Sequence, residues 1–281
     1  MLKRDSYDKF ATDKERNFME FRTQNLKRYI LPLREGGSLP ALAEADDGFR
    51  YAVKLRGSGH GVKSLIAEFI GGAIAKSLKF NVPELVFLNL SPVFGITEPD
   101  YEVQQLLRKS EGLNIGLHFL DRAMTFDPSV NHIDGLTASK IVWMDSFIEN
   151  IDRSRQNPNM MIWDDRLWLI DHGSSLYFQN TGKSPEEAAA DPFPYIRNHV
   201  FLPYADRLDE ADRLMKQAIT PRTLEKIVDN LPEEWLKDDS DSETTPKEKR
   251  NYYKTFLTRR LSDTGVFVEQ AKKEREILLK G

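Results

Sequence analysis

Three side chains with oxygen ligands, Asp152, Asn157 and Asp171, stand around one short apolar hairpin in ENIDRSRQNPNMMIWDDRLWLIDHGSSL, residues 149–176. The runs Met160 to Trp163 and Leu167 to Ile170 are separated by Asp164, Asp165 and Arg166, which is the signature of two strands and a tight turn. A hairpin returns the chain to its start, so Asp171 should lie close to Asn157, with Asp152 on the loop just before. One carboxylate and one amide oxygen then share a hard cation, and a second carboxylate can orient a hydroxyl. Magnesium accepts a few such ligands and completes its octahedron with water and phosphate oxygens. Phosphoryl transfer asks for little more: a metal, a carboxylate that positions the nucleophile, and a lysine on the nucleotide.

A lysine of that kind stands upstream. Tyr51, Val53 and Leu55 alternate with Ala52 and Lys54, the period of a half-buried strand. From Lys63 to Leu78 the apolar residues Ile66, Phe69, Ile70, Ala73 and Ile74 recur at helical spacing, with Asn81 and Pro83 marking the exit. Glu68 sits beside that face, in line with Gly71, Gly72 and Ala75, so a carboxylate overlies small residues that invite close approach by another element. LVFLNL, residues 85–90, reads as a second strand, and a third runs through Ile115 to Leu120. After Pro128 the chain becomes helix-rich, with a helix from Thr137 to Glu149 leading into the hairpin region. Ser184-Pro185, Thr220-Pro221 and Thr245-Pro246 each read as a helix start, a capping residue followed by proline at the first helical position. LKDDSDSETTPKEKR, residues 236–250, reads as a solvated loop between helices.

In this order and spacing the residues resemble the HipA-like kinases, whose wider relatives include the phosphatidylinositol kinases. The resemblance rests on N-x-D-R, N-P-N and I-D-H-G in the hairpin region, on AVK at residues 52–54, and on the AEFIGGAIAKSLKFNVPEL helix and exit. It spans roughly residues 36–176. It implies an α+β, two-lobed protein-kinase-like fold with a small sheet-bearing lobe and a mostly helical lobe around an ATP cleft. The division it suggests is an N-terminal extension over 1–33, the sheet lobe over 34–125 and the helical lobe over 126–281. By the same resemblance Asp152 orients the acceptor hydroxyl or takes its proton, Asn157 and Asp171 hold magnesium, and Lys54 grips the nucleotide phosphates and pairs with Glu68. The nucleotide lid falls on GGSLP, with Gly36, Gly37 and Ser38 at the phosphates; Ser38 is either an autophosphorylation site or a plain turn serine. The implied activity is ATP- and magnesium-dependent transfer of the γ-phosphoryl group to a hydroxyl, on a protein serine or threonine. A small-molecule or lipid kinase, a nucleotidyl transferase and a nucleotide-binding pseudokinase use the same fold. HipA toxins work beside a DNA-binding antitoxin, and with only residues 1–33 ahead of the lid the resemblance does not carry that partner over.

GSGHGVKS, residues 57–64, offers a competing reading, since it nearly matches the phosphate-binding pattern G-x-x-x-x-G-K-[ST]. Val62 occupies the position of the second glycine, where a β-branched residue opposes the wrapping of backbone around phosphate. The stretch therefore reads as the connection from the lysine strand to the helix. His172, in place of the phenylalanine of D-F-G, is expected to pack locally. Trp143, Trp163 and Trp168 are expected in core or hairpin packing.

Composition narrows the rest. The 281 residues are 40% hydrophobic and 30% charged, with a net charge of -4 and no cysteine. That balance fits a globular protein and gives no general attraction to nucleic acid or anionic lipid. It excludes disulfides, a thiolate nucleophile and Cys-ligated zinc. No apolar run reaches the roughly 18 residues a spanning helix needs, and the charged N-terminus lacks a signal-peptide core, so a cytoplasmic location is expected.

Overall fold

The computed structural model describes residues 20–33, 40–59, 61–96, 98–237 and 244–280. Five strands close into a barrel: β1 (Thr23–Pro32), β2 (Ala41–Ala45), β3 (Arg50–Lys54), β4 (Leu85–Leu90) and β5 (Gly112–His118), in the order β1-β2-β3-β5-β4. Neighbours run antiparallel except at the closure, where β1 lies parallel to β4 through Thr23↔Phe87, Gln24↔Leu88 and Asn25↔Asn89. Closure leaves no open edge, so every strand is held on both sides. Small residues on one strand face large ones on others inside: Ala41, Ala43 and Ala45 of β2 share a core with Tyr51, Val53, Leu88 and Leu90.

Strand β1 falls in the segment expected to be an N-terminal extension, so the sheet lobe takes in residues well before 34. Its sequence, TQNLKRYILP, has no clean alternation because the pairing with β2 shifts register between Leu26 and Arg28 and again between Tyr29 and Leu31. Each irregularity resets which residues face inward and erases the period of two. β2, reading ALAEA, was hidden by composition, since alanine carries little strand preference.

Helix α1 (Gly61–Ser77) covers the barrel and is buried nearly all round, including Glu68. That is the environment of a helix held between two layers, here the barrel and the helical lobe. Phe69 stacks on Phe87 of β4 at 5.3 Å, and Trp235 packs edge-on against Phe87 while its indole nitrogen donates to the Leu113 carbonyl at 2.8 Å. One hydrophobic cluster therefore runs from α1 through the helical lobe. Helix α2 (Tyr101–Lys109) is capped by Asp100, whose carboxylate accepts from the amides of Glu102 and Val103.

The second lobe begins with β6 (Met124–Thr125) and α3 (Gly135–Phe147) and continues into the expected hairpin, β7 (Met160–Trp163) and β8 (Arg166–Leu169). β7 pairs with both β6 and β8, and Trp163 packs edge-on against Trp168 at 5.1 Å. Helices α4 (Pro185–Ala189), α5 (Leu208–Ala218), α6 (Pro221–Asp229), α7 (Glu233–Leu236), α8 (Pro246–Ser262) and α9 (Gly265–Lys280) follow. All three proline starts stand where the sequence placed them: Ser184 and Thr245 form reciprocal capping boxes with Glu187 and Glu248, and Thr220 accepts from the Thr223 amide. The stretch expected as a loop up to Arg250 is helical from Pro246, because that capping box starts α8 inside it. Among the described residues no helix is long and apolar enough to cross a membrane. The molecule is α+β, a strand-built N-terminal region followed by a mostly helical one.

Candidate active site

Lys54 closes β3, paired with Ile115 of β5, and turns its stem into the interface between barrel and helical lobe. There its ammonium contacts Glu68 Oε2 and, at 2.5 Å, Asp171 Oδ1. Lys54 ends a strand, Glu68 lies on the next helix, and Asp171 follows β8, 117 positions beyond the lysine. Burial opposes the charge on Lys54, but the carboxylates of Glu68 and Asp171 outweigh it and raise its pKa above the ordinary lysine value. Burial likewise opposes the charge on Glu68, and the Lys54 ammonium, followed by His172, holds its carboxyl below the usual range. The pair is ionised in both directions.

Close approach at this point depends on two glycines. A Cβ on Gly173 would stand 2.6 Å from Lys54 Nζ and 2.7 Å from Ser64 Oγ, so a side chain there would displace the lysine head from its place against the Asp-His-Gly turn. A Cβ on Gly71 would stand 2.6 Å from the Cβ of His172, and one on Gly72 would stand 2.9 Å from Leu85 Cδ1, so both glycines of the small-residue stripe face close neighbours. His172 is buried there as expected, its Nδ1 3.7 Å from Glu68 Oε1. Glu68 Oε1 and His172 Nε2 are both buried without a hydrogen-bond partner. Asp171 takes a left-handed backbone with φ of 53°, a conformation Asp tolerates better than most residues, and its side chain remains 34% exposed.

The second cluster sits on the loop before β7. Asp152 Oδ2 accepts from the side-chain amides of Asn157 at 2.8 Å and Asn159 at 3.0 Å. The Asp152 amide donates to Asn150 Oδ1, and the Ser154 amide donates to the Asp152 and Asn157 carbonyls, which closes the loop on itself. The hairpin joins the clusters: Met160 pairs with Leu169, and the Ile170 amide donates to the Asn159 carbonyl at 3.0 Å. Asn157 and Asp171 thus flank the base of one hairpin. Gly36, Gly37 and Ser38 lie outside the described residues.

Beneath this loop is a set of residues that sequence reasoning missed. Asp145 of α3 is fully buried; its Oδ1 accepts from Asn150, and its Oδ2 accepts from Arg153 Nε at 2.6 Å and from His199 Nε2 at 2.9 Å. The Phe201 amide donates to His199 Nδ1, which makes Nε2 the protonated nitrogen of a neutral ring, and burial lowers the pKa of that ring. Burial would raise the Asp145 carboxyl, yet the Arg153 charge and the His199 hydrogen bond hold it well below the carboxylate range. Arg153 Nη1 also donates to the Asn159 carbonyl at 2.5 Å, which ties the loop to the hairpin. The one trace of this network in the sequence is the adjacency of Asp152 and Arg153.

The GSGHGVKS stretch behaves as a connection. Gly57 donates from its amide to Ser110 Oγ and packs so closely on Lys109 that a Cβ would meet it at 2.6 Å, while Lys63 Nζ donates to the Gln179 carbonyl. For a hard cation the available oxygens are Asn157 Oδ1, left over once Nδ2 has gone to Asp152, and the second oxygen of Asp171. Among the described residues no three His, Cys, Asp or Glu side chains are grouped to hold a metal.

The chain matches the family described as HipA-like kinase over residues 9–267. No curated protein matches it. Among solved structures it is similar to the crystal structure of a Helicobacter pylori proinflammatory kinase, CtkA, at 14% identity and a TM-score of 0.54, covering 90% of this chain and 98% of that one. At that identity the likeness concerns the fold.

Proposed function

From the premise that the chain belongs to the HipA-like kinase family, and so to a family of phosphotransferases, we propose that it transfers the γ-phosphoryl group of ATP to a protein serine or threonine hydroxyl. The observation that carries this reading is the contact of Lys54 with both Glu68 and Asp171 at the junction of the two lobes. Lys54 offers an ammonium to the nucleotide phosphates, and Glu68 holds it in place from a fully buried position. Asn157 and Asp171 would hold magnesium through an amide oxygen and a carboxylate oxygen, a donor set suited to a small hard cation that keeps water and phosphate as further ligands. Magnesium, when bound, neutralises phosphate charge as it builds in the transition state.

Asp152 serves the acceptor. Two amides fix its Oδ2, which leaves Oδ1 to receive the acceptor hydroxyl. The hydroxyl oxygen attacks the γ-phosphorus, the bond to the β–γ bridging oxygen breaks, ADP leaves with that electron pair, and the hydroxyl proton passes to Asp152. Arg153 and the Asp145–His199 pair under the loop hold Asp152 in position.

The test is incubation of the purified chain with magnesium and γ-labelled ATP, alone and with a cell lysate, beside its Asp171→Asn variant. Label on a protein that disappears in the variant supports the reading, and peptide mapping of label on the chain itself tests Ser38. Equal label in both, or no binding of ATP, refutes it.

A further inference from the structure

A cavity of 680 Å³ opens on the loop that carries Asp152. Ile151 lines it immediately before Asp152, and Arg155 lines it three residues after. Arg197 and Pro203 contribute from the segment following α4, and Leu278 and Leu279 from the last turn of α9. Arg155 and Arg197 are exposed and have no ion-pair partner among the described residues. Among the described residues no Asp or Glu lines the cavity. Leu278 and Leu279 expose 46% and 57% of their surface, an apolar wall beside two uncompensated cations.

We propose that this cavity docks the acceptor segment of a protein substrate and selects one in which acidic residues and an aliphatic residue flank the acceptor hydroxyl. The proposal rests on the kinase reading above and names the substrate class of that site. Charge complementarity chooses the occupant: the chain as a whole is acidic, at -4, so an acidic partner is drawn here by the local arginine pair rather than by the general field. Guanidinium groups match carboxylates with two parallel hydrogen bonds. A small phosphorylated molecule would use the arginines and leave the leucine wall uncovered, whereas a polypeptide uses both. Position agrees, since Ile151 and Arg155 of the loop that carries Asp152 line the cavity, and extended chain advances about 3.3–3.6 Å per residue, so docking there would engage residues within a few places of the acceptor.

The full chain, magnesium and γ-labelled ATP are presented with three peptide libraries, each with a central serine or threonine and an aliphatic position. Their remaining flanks are Asp and Glu, Lys and Arg, or Gln and Asn. The acidic library should be labelled at least tenfold more than the basic one, and the double variant Arg155→Glu, Arg197→Glu should reverse that order. Binding of the same acidic library, fluorescein-tagged, should weaken at least tenfold in the variant, a readout that does not need turnover. Equal labelling of the libraries, or an acidic preference that survives the charge reversal, overturns the proposal. Label on the chain itself with none on any library also overturns it and leaves the kinase reading standing. Failure of the unaltered chain to bind magnesium-ATP overturns the kinase reading and this proposal together.

Discussion

The buried charges of this chain form two assemblies that use similar groups differently. Under the Asp152 loop, Asp145 spends both oxygens on Asn150, Arg153 and His199, and the network lies buried within one lobe, with only the His199 ring reaching the wall of the cavity beside the loop. At the lobe junction Glu68 spends one oxygen on Lys54 and leaves Oε1 without a hydrogen bond, while Asp171 stays open to solvent beside the same lysine. A carboxylate with both oxygens taken fixes a backbone and has nothing left to offer, and here only Arg153 Nη2 is left without a partner. The assembly at the junction keeps an ammonium and carboxylate oxygens available for phosphate and metal, at the cost of desolvating charges whose hydrogen bonding is incomplete.

That contrast is broken most severely by Arg153→Met, which strands Asp145 in the interior without its cation. Loss of one partner of a buried ion pair costs about 3–5 kcal/mol, and urea unfolding should show a loss of that size. If stability is unchanged, the network is not what holds the loop. Lys54→Met should act on activity first, lowering γ-phosphoryl transfer on the order of 10²–10³-fold, the scale of removing one preorganised charge contact. It also leaves Glu68 unpaired, so adding Glu68→Gln should recover stability without recovering transfer, measured by unfolding and labelling side by side. Asp152→Asn should reduce transfer about 10²-fold while magnesium-ATP still binds in calorimetry, because the change touches the acceptor and not the nucleotide. Gly71→Ala forces a Cβ to 2.6 Å from His172, so stability should fall by about 1–3 kcal/mol and the Asp-His-Gly turn should shift.

Glu149 lies between the two types. It is buried, accepts from the Phe178 amide and sits 3.8 Å from Arg260, and burial pushes its carboxyl up to about 7 in spite of Arg260. Its folded value is therefore above the ordinary glutamate value of 4.5. The stability it contributes is fully present below the unfolded pKa and is lost as pH rises through the folded one. Glu149→Gln removes that loss, so its advantage over the natural chain should grow between pH 5 and pH 8 by about 1–3 kcal/mol in unfolding experiments. An advantage that shrinks with rising pH would mean that Arg260, not burial, governs this carboxyl.

Wherever a feature depends on neighbours in sequence, the amino acids alone determined it. The hairpin of β7 and β8, the three capped proline starts, the strand ending at Lys54 and the helix bearing Glu68 all follow from periodicity and turn chemistry over a few residues. The small residues along α1 also announced a close neighbour without naming it. Tertiary structure alone decided that β1 joins the barrel, because its register shifts erase the local period and only pairing with β2 and β4 restores it. It alone revealed Asp145, Arg153 and His199 as one network, since an ion pair between residues 8 positions apart and a hydrogen bond between residues 54 apart leave no pattern in the chain. The Lys54–Asp171 contact joins residues 117 positions apart. Its partners could be proposed from residue type and order, but their meeting required the barrel and the helical lobe to share one core, and long-range packing of that kind has no local signature.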